Sequence, residues 1–140
     1  HYELFVQRSE NPFRNYRQRE VMGLGLRYLI NDHARFGFAF INEDEEDLNM
    51  INTKTDRLNI YFHDDFEIGE NIFFNTTIYI QPSVDDFSDD VKYSAIFALD
   101  FEVNEQVTIS LQYSRFNDNA PPMNADKMDE SISTKFSWSF

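Results

Sequence analysis

The residues of this sequence that could do chemistry are its histidines, its clustered carboxylates and a group of arginines. His63 and Asp65 stand two positions apart in an alternating segment, so their side chains would project from the same face. That pair could relay a proton or an ion. Alternatively, His63 could belong to a Ser–His–acid site, which is defined in space rather than by spacing. The sequence contains no nucleophile elbow, metalloprotease motif or phosphate loop, so we predict a protein without catalytic activity.

Acidic runs form the second group, and they fall between the alternating segments described below. Hard cations such as Ca²⁺ prefer oxygen ligands, so these carboxylates are candidates for loosely holding a divalent cation. The sequence has no twelve-residue calcium loop with glycine at its sixth position, and a solvated acidic face is the alternative. Apart from this cation we predict no cofactor. The candidate ligands are Glu43, Asp44, Glu45, Asp85, Asp86, Asp89 and Asp90.

The third group consists of arginines around Asn11-Pro12-Phe13. They are Arg8, Arg14, Arg17 and Arg19. Guanidinium groups bind phosphate, so this connection could contact lipopolysaccharide. The alternative is that these arginines pair with the acidic connections.

Composition narrows the class of protein. The chain has 140 residues, which suits a single domain over residues 1–140, and its net charge of -13 argues against nucleic-acid binding. It has no cysteine, so it has no disulfide and no thiolate metal site. It has no run of about 18 apolar residues, which excludes a transmembrane helix but not transmembrane strands. His1 is not an initiator residue, so we expect a processed or truncated chain.

Strict alternation of apolar and polar residues predicts strands, and it is clearest in the last ten residues. There Ile132, Thr134, Phe136, Trp138 and Phe140 alternate with four serines and Lys135. Seven earlier segments show the same period, and none has a helical stripe. The eight predicted strands are Tyr2–Arg8, Arg19–Ile30, Arg35–Asn42, Arg57–Ile68, Ile72–Pro82, Tyr93–Val103, Gln106–Asn117 and Glu130–Phe140.

The connections between these segments alternate in length. The short ones, Asn31–Ala34, Gly69–Asn71 and Asn104–Glu105, carry residues suited to hairpin turns. The long ones are Ser9–Gln18, Glu43–Asp56, Ser83–Lys92 and Asp118–Asp129. Short periplasmic turns and long extracellular loops are typical of outer-membrane barrels. We therefore predict an all-β fold, an antiparallel up-and-down transmembrane β-barrel of about eight strands.

In such a barrel the apolar faces contact lipid and the polar faces line the lumen. Leu99, Leu111 and Phe136 are then predicted to face lipid. An eight-stranded barrel has an interior filled by side chains, so its charges should pair inside it. The predicted lumen charges are Arg27, His63, Asp65, Asp100, Glu102 and Lys135. The terminal aromatics Phe136, Trp138 and Phe140 are the predicted membrane-assembly signal.

Several short motifs also occur in a fixed order. They are Gly23-Leu24-Gly25-Leu26-Arg27-Tyr28, Gln81-Pro82-Ser83, Asp86-Phe87-Ser88-Asp89, Asn104-Glu105, Leu111-Gln112-Tyr113-Ser114, Pro121-Pro122, Asp129 and Phe140. In this order they resemble the salt-induced outer membrane protein family, a bacterial group without an established reaction or ligand. The resemblance implies a Gram-negative outer-membrane barrel. Members of that family are usually longer, so eight strands are either the whole barrel or part of a larger one.

The sequence thus predicts a bacterial outer-membrane protein with a structural, envelope-adaptation or complex-subunit role. Its expected partners are outer-membrane lipid and lipopolysaccharide, the barrel-assembly machinery and other envelope proteins. An even strand number would leave both termini in the periplasm and the long loops outside the cell. Two alternatives remain: a soluble lipocalin-like barrel that binds an apolar ligand, and a barrel-embedded lipid hydrolase.

Overall fold

The computed structural model of the protein describes residues 1–11, 16–122 and 125–139, with the backbone alone described at residues 11 and 16. Eight strands account for most of these residues. They are β1 (Tyr2–Asn11), β2 (Tyr16–Leu29), β3 (Arg35–Asp47), β4 (Asn52–Gly69), β5 (Ile72–Pro82), β6 (Val91–Asn104), β7 (Val107–Asp118) and β8 (Met128–Trp138). Within the described ranges, no helix is long and apolar enough to cross a bilayer.

The strands form a single sheet in sequence order, and each pairs antiparallel with the next. The prediction of an all-β, up-and-down antiparallel arrangement of eight strands is confirmed. Closure is not observed, because β1 and β8 are the two edges of the described sheet and do not pair with each other. We call the end that carries the three short turns, the start of β1 and the end of β8 the turn side. The opposite end is the loop side.

Asparagine side chains build the short turns in the way the sequence predicts. The Oδ1 atom of Asn31 accepts hydrogen bonds from the backbone N–H groups of His33 (2.8 Å) and Ala34 (2.6 Å). Asn104 does the same for Gln106 and Val107 at 2.9 and 3.0 Å. Asn71 adopts a left-handed backbone with φ of 61°, a conformation that asparagine tolerates better than most residues. These local bonds fix where each hairpin reverses.

The long connections are shorter than predicted, and the largest error concerns Glu43–Asp47. The sequence places this acidic run in a loop, whereas the structure places it at the loop-side end of β3. β4 likewise begins at Asn52 rather than at Arg57. The acidic residues continue the strand because neighbouring strands supply cations, for example Lys54, whose Nζ atom lies 2.9 Å from Oδ2 of Asp44.

The sheet curves so that polar side chains lie on its inner face and apolar side chains lie on its outer face. Leu24 and Phe136 on the outer face are 69% and 67% exposed. A small apolar core occupies the inner face between β2 and β3, where Val21, Ala39 and Ile41 are buried and Phe5 packs against them. The polar inner face continues from this core in both directions along the strands.

Glycines at positions 23, 25 and 37 have no room for a Cβ atom, and Gly37 has the shortest of these contacts. A Cβ atom at Gly37 would lie 2.0 Å from Cε1 of the Tyr61 ring, so only glycine leaves room for that ring. The Tyr61 hydroxyl in turn donates a hydrogen bond of 2.7 Å to Glu3 on β1. This contact joins β1 to β4 across the concave side of the sheet.

A buried charge cluster on the inner face

Among the described residues, the most buried charged side chain is that of Glu43. This residue lies on the inner face of β3 and is 2% exposed. Nζ of Lys92 lies 2.9 and 3.0 Å from its two carboxylate oxygens. Nε of Arg57 donates to Oε2 at 2.6 Å, and Arg19 forms a close ion pair with Oε1. Three cations from β2, β4 and β6 thus converge on one carboxylate. We call Glu43, Arg19, Arg57 and Lys92 the charge cluster.

Further acidic side chains contact Lys92 and Arg57. Lys92 also lies 3.1 Å from Glu45 and 3.8 Å from Asp118. The Nη2 atom of Arg57 donates to Oδ2 of Asp90 at 3.0 Å, and its Nη1 atom lies 2.8 Å from Oδ1. Burial of unpaired charge is costly, so this dense pairing is what allows the cluster to exist in the interior.

The cluster has a marked effect on the acidity of Glu43. Burial alone would raise the pKa of this carboxyl group, but the positive charges of Lys92, Arg19 and Arg57 outweigh burial and lower the pKa to about 2. Glu43 therefore stays ionised throughout the ordinary pH range, and the cluster is a permanent ion network rather than a proton switch.

Two cavities lie on either side of the cluster. On the loop side, a cavity of about 230 Å³ is lined by Glu43, Glu45, Asp118 and other polar residues. Further toward the turn side, a cavity of about 500 Å³ lies among Phe5, Ile41, Tyr79, Asn59 and neighbouring residues. The second cavity mixes aromatic rings with amide and hydroxyl groups, so it is not an apolar pocket.

The predicted lumen charges all belong to the inner-face positions, but they form separate contacts rather than one network. Nη2 of Arg27 lies 2.8 Å from Oε1 of Glu3. Nζ of Lys135 donates to Oε1 of Gln112 at 3.2 Å. Asp100 accepts a hydrogen bond of 2.6 Å from Asn75 and a very short one from Ser110. Glu102 lies near Asp100 at the rim of a turn-side cavity.

His63 and Asp65 do lie together, as their spacing predicts. His63 Nε2 is 3.2 Å from Asp65 Oδ2, and His63 Nδ1 is 2.8 Å from the hydroxyl of Thr77. A hydroxyl, an imidazole and a carboxylate in a row are the parts of a nucleophilic site. Thr77, however, is paired within the β4–β5–β6 ladder, where backbone N–H groups are committed to neighbouring strands. The contact between His63 and Thr77 therefore joins two directly opposed residues of paired strands.

The predicted metal ligands are dispersed or already paired. Glu43 and Glu45 bind Lys92, and Asp44 binds Lys54. Asp85, Asp86 and Asp89 are exposed in the connection between β5 and β6, and Asp90 faces Arg57. Among the described residues, no group of three or more acidic or histidine side chains is arranged to hold a metal ion.

The arginines near the first long connection pair with acidic residues, which was one of the two predicted outcomes. Nη1 of Arg17 lies 3.0 Å from Oε1 of Glu46, and Arg8 lies 3.8 Å from Glu20. Arg14 lies outside the described residues. Of the predicted assembly signal, Phe136 and Trp138 lie on the exposed outer face of β8, and Phe140 lies outside the described residues.

Sequence reasoning missed Arg57 and Lys92 as interior charges. Arg57 continues the period of Asn59 and Tyr61, which are buried on the same face of β4. Lys92 likewise stands two positions before Ser94 on β6. Extending each alternation by one further step would have placed both cations on the polar face, together with Glu43 on β3.

The fold and this site define a class of protein: an all-β sheet protein with a charged, partly buried inner face and an apolar outer face. Over residues 2–140 the chain matches the family described as "Protein of unknown function, DUF481", and it belongs to that family. No curated protein and no solved structure matches the chain. The prediction of membership in a salt-induced outer membrane protein family is wrong, because the matching family carries no such description.

Proposed function

We propose that this chain forms the wall of a transmembrane β-barrel in a bacterial outer membrane, with a structural or complex-subunit role and no catalysis. The observation that carries this proposal is the orientation of the two faces. A water-soluble sheet buries its apolar face, whereas here the apolar face is exposed and the ions are buried. Lipid is the solvent in which that orientation is favourable.

The extent of the apolar face supports the same proposal. On β2 the outward positions Met22, Leu24 and Leu26 are apolar, and the next outward position toward the loop side is Glu20. On β3 the outward apolar residues end at Phe40 and are followed by Asn42. This apolar belt ends at polar positions on the loop side, and the strands, 10 to 18 residues long, reach the roughly 9–11 residues that cross a bilayer. The charge cluster, which includes Glu43, lies beyond the belt on the loop side.

The lipocalin-like alternative has less support. Such a protein needs an apolar inner cavity, whereas the larger cavity here is lined in part by Asn59, Gln81 and Ser94. The hydrolase alternative depends on His63 alone. His63 contacts Asp65 on its own strand and Thr77 on the paired strand, which are its neighbours in the sheet.

In this proposal the turn side faces the periplasm and the loop side faces outward. Lipid acyl chains contact the belt, lipopolysaccharide surrounds the loop side, and the barrel-assembly machinery inserts the strands. Because Arg8 and Arg17 already pair with Glu20 and Glu46, lipopolysaccharide phosphate would have to compete with these contacts.

The test is fractionation of the natural protein from its host. We expect it in the outer-membrane fraction, resistant to alkaline carbonate and released only by detergent. Unboiled samples should also migrate differently from boiled ones on a denaturing gel. Recovery in a soluble fraction without detergent would refute the proposal.

A further inference from the structure

Asp64 is the feature of the outer face that the proposed function leaves unexplained. It stands on β4 in a run of six outward positions, and the other five are apolar. Those five are Leu58, Ile60, Phe62, Phe66 and Ile68. The register of β4 with β5 places Thr76 directly opposite Asp64, and Thr76 is likewise the polar residue among the apolar outward positions of β5. We call Asp64 and Thr76 the polar pair.

Neither side chain of the polar pair has a partner among the described residues. Asp64 takes part in no salt bridge and no side-chain hydrogen bond there. Thr76 is 9% exposed, and its buried Oγ1 atom has no hydrogen-bond partner. A buried polar group without a hydrogen bond is costly, so the polar pair is incomplete as it stands.

The polar pair lies well inside the apolar belt. The ends of the apolar run on β4, Leu58 and Ile68, are ten positions apart. At a strand tilt of about 40° that run spans roughly 25 Å across the membrane, which is the height of an apolar band. Asp64 lies four positions from Ile68, so it is about 10 Å inside the nearer edge of the band. A charge at this depth needs a partner, and a headgroup at the edge is too distant to provide one.

We propose that the polar pair is the docking site for a second membrane-embedded protein, which places a lysine or arginine side chain against Asp64. The inference rests on the proposed function and makes its complex-subunit role specific. Aromatic rings beside the pair suit a cation: the centroids of Phe66 and Phe74 are 5.4 Å apart, and those of Phe74 and Phe97 are 6.3 Å apart. Ammonium and guanidinium groups bind carboxylates and also pack on aromatic faces. The same cation can donate to the Thr76 hydroxyl.

A second copy of this chain does not supply the required cation. In the described strands, the basic residues at or beside the outer face lie on the loop side, and each is 2.9 to 3.8 Å from a carboxylate of the same chain. They are Arg8, Arg17, Lys54 and Arg115. In a copy with the same orientation they would stay on the loop side, away from the depth of Asp64. The partner is therefore a different protein.

Two synthetic peptides test the charge requirement in phosphatidylcholine vesicles. The chain has no cysteine, so Glu70→Cys in an exposed turn provides one position for a donor dye. The probes are transmembrane peptides of leucine and alanine that carry an acceptor dye and differ in one central residue, arginine or glutamine. We expect energy transfer to show about tenfold tighter association of the arginine peptide, because it alone forms a charged hydrogen bond. Asp64→Asn should remove this preference. The matched control Asp56→Asn, outward on the same strand but beyond the belt, should keep it.

Equal association of the two peptides would overturn the proposal, and so would a preference that survives Asp64→Asn. A preference that disappears when phosphatidylethanolamine replaces phosphatidylcholine would assign a lipid ammonium group to Asp64 and would also overturn it. Vesicle flotation keeps this inference distinct from the proposed function. Chains that float with vesicles but show no preference refute the docking site alone, whereas chains that do not float refute both.

Discussion

The inner face of the sheet holds its charges in two different ways. Around Glu43, three cations from three strands converge on one buried carboxylate. Along β8, Lys135 is exposed, and its polar contact among the described residues is with Gln112 of the neighbouring strand. The first arrangement is possible because β2, β3, β4 and β6 curve around a common interior. The comparison shows that burial of charge in this protein follows the curvature of the sheet rather than the sequence pattern, which is the same in both regions.

Neutralising the central carboxylate should have the largest effect. Glu43→Gln keeps the size of the side chain but leaves Arg19, Arg57 and Lys92 without their shared partner. Breaking a buried ion pair from one side costs about 3–5 kcal/mol, and we expect a loss of that size in urea unfolding of vesicle-bound protein. The control is Lys135→Gln on β8, which should cost less than about 0.5 kcal/mol because the site is exposed. Similar losses for both variants would contradict the comparison.

The Glu43 carboxylate should also make the stability of the fold depend on pH. The pKa of Glu43 is about 2 in the folded protein against an ordinary value of 4.5. Because the pKa is lower in the folded protein, ionised Glu43 stabilises the fold at pH values above 4.5. This stabilisation is lost as the pH falls towards about 2. We expect a loss of about 3 kcal/mol between roughly pH 5 and pH 2, measured by unfolding at each pH. Glu43→Gln should flatten this part of the profile, and an unchanged profile in that variant would assign the effect to other groups.

Charges placed on the two faces should differ in cost. Leu99 and Leu111 oppose each other on the outer face of β6 and β7, whereas Ser110 opposes Asp100 on the inner face. An arginine on the lipid face near the bilayer midplane costs about 2–4 kcal/mol, so we expect that loss for Leu99→Arg. Ser110→Arg can pair with Asp100 and should cost less. A larger loss for Ser110→Arg would mean that the faces are inverted.

The smallest effect concerns the tight packing beneath Tyr61. Gly37→Ala forces a Cβ atom into the space of the Tyr61 ring, and overpacking of this kind costs about 1–3 kcal/mol. Gly69→Ala serves as the matched control. A Cβ atom at Gly69 would have its nearest neighbour at 3.9 Å, so that variant should unfold like the natural protein. If both alanine variants unfold alike, the sheet can flatten at Gly37 and the described curvature is not required.

The strands were predictable from sequence because alternation reports directly on which residues share a face. The hairpin turns were predictable because Asn31 and Asn104 bond to their own backbone. The loop-side end of β3 was not predictable in the same way, because five acidic residues in a row have the composition of a solvated loop. They belong to a strand only because Arg17, Lys54 and Lys92 come from elsewhere in the chain. The open edges of the described sheet were also not predictable, because the alternation of apolar and polar residues does not specify which strand pairs with an edge strand.

The central claim is that the exposed apolar face contacts lipid, and the single tryptophan tests it most directly. Trp138 is the only tryptophan in the chain and lies on the outer face of β8. Its fluorescence should be measured in vesicles whose acyl chains carry bromine, which quenches tryptophan on contact, and in matched vesicles without bromine. We predict blue-shifted emission that brominated lipid strongly quenches. Emission typical of water that is equal in both kinds of vesicle would contradict the claim.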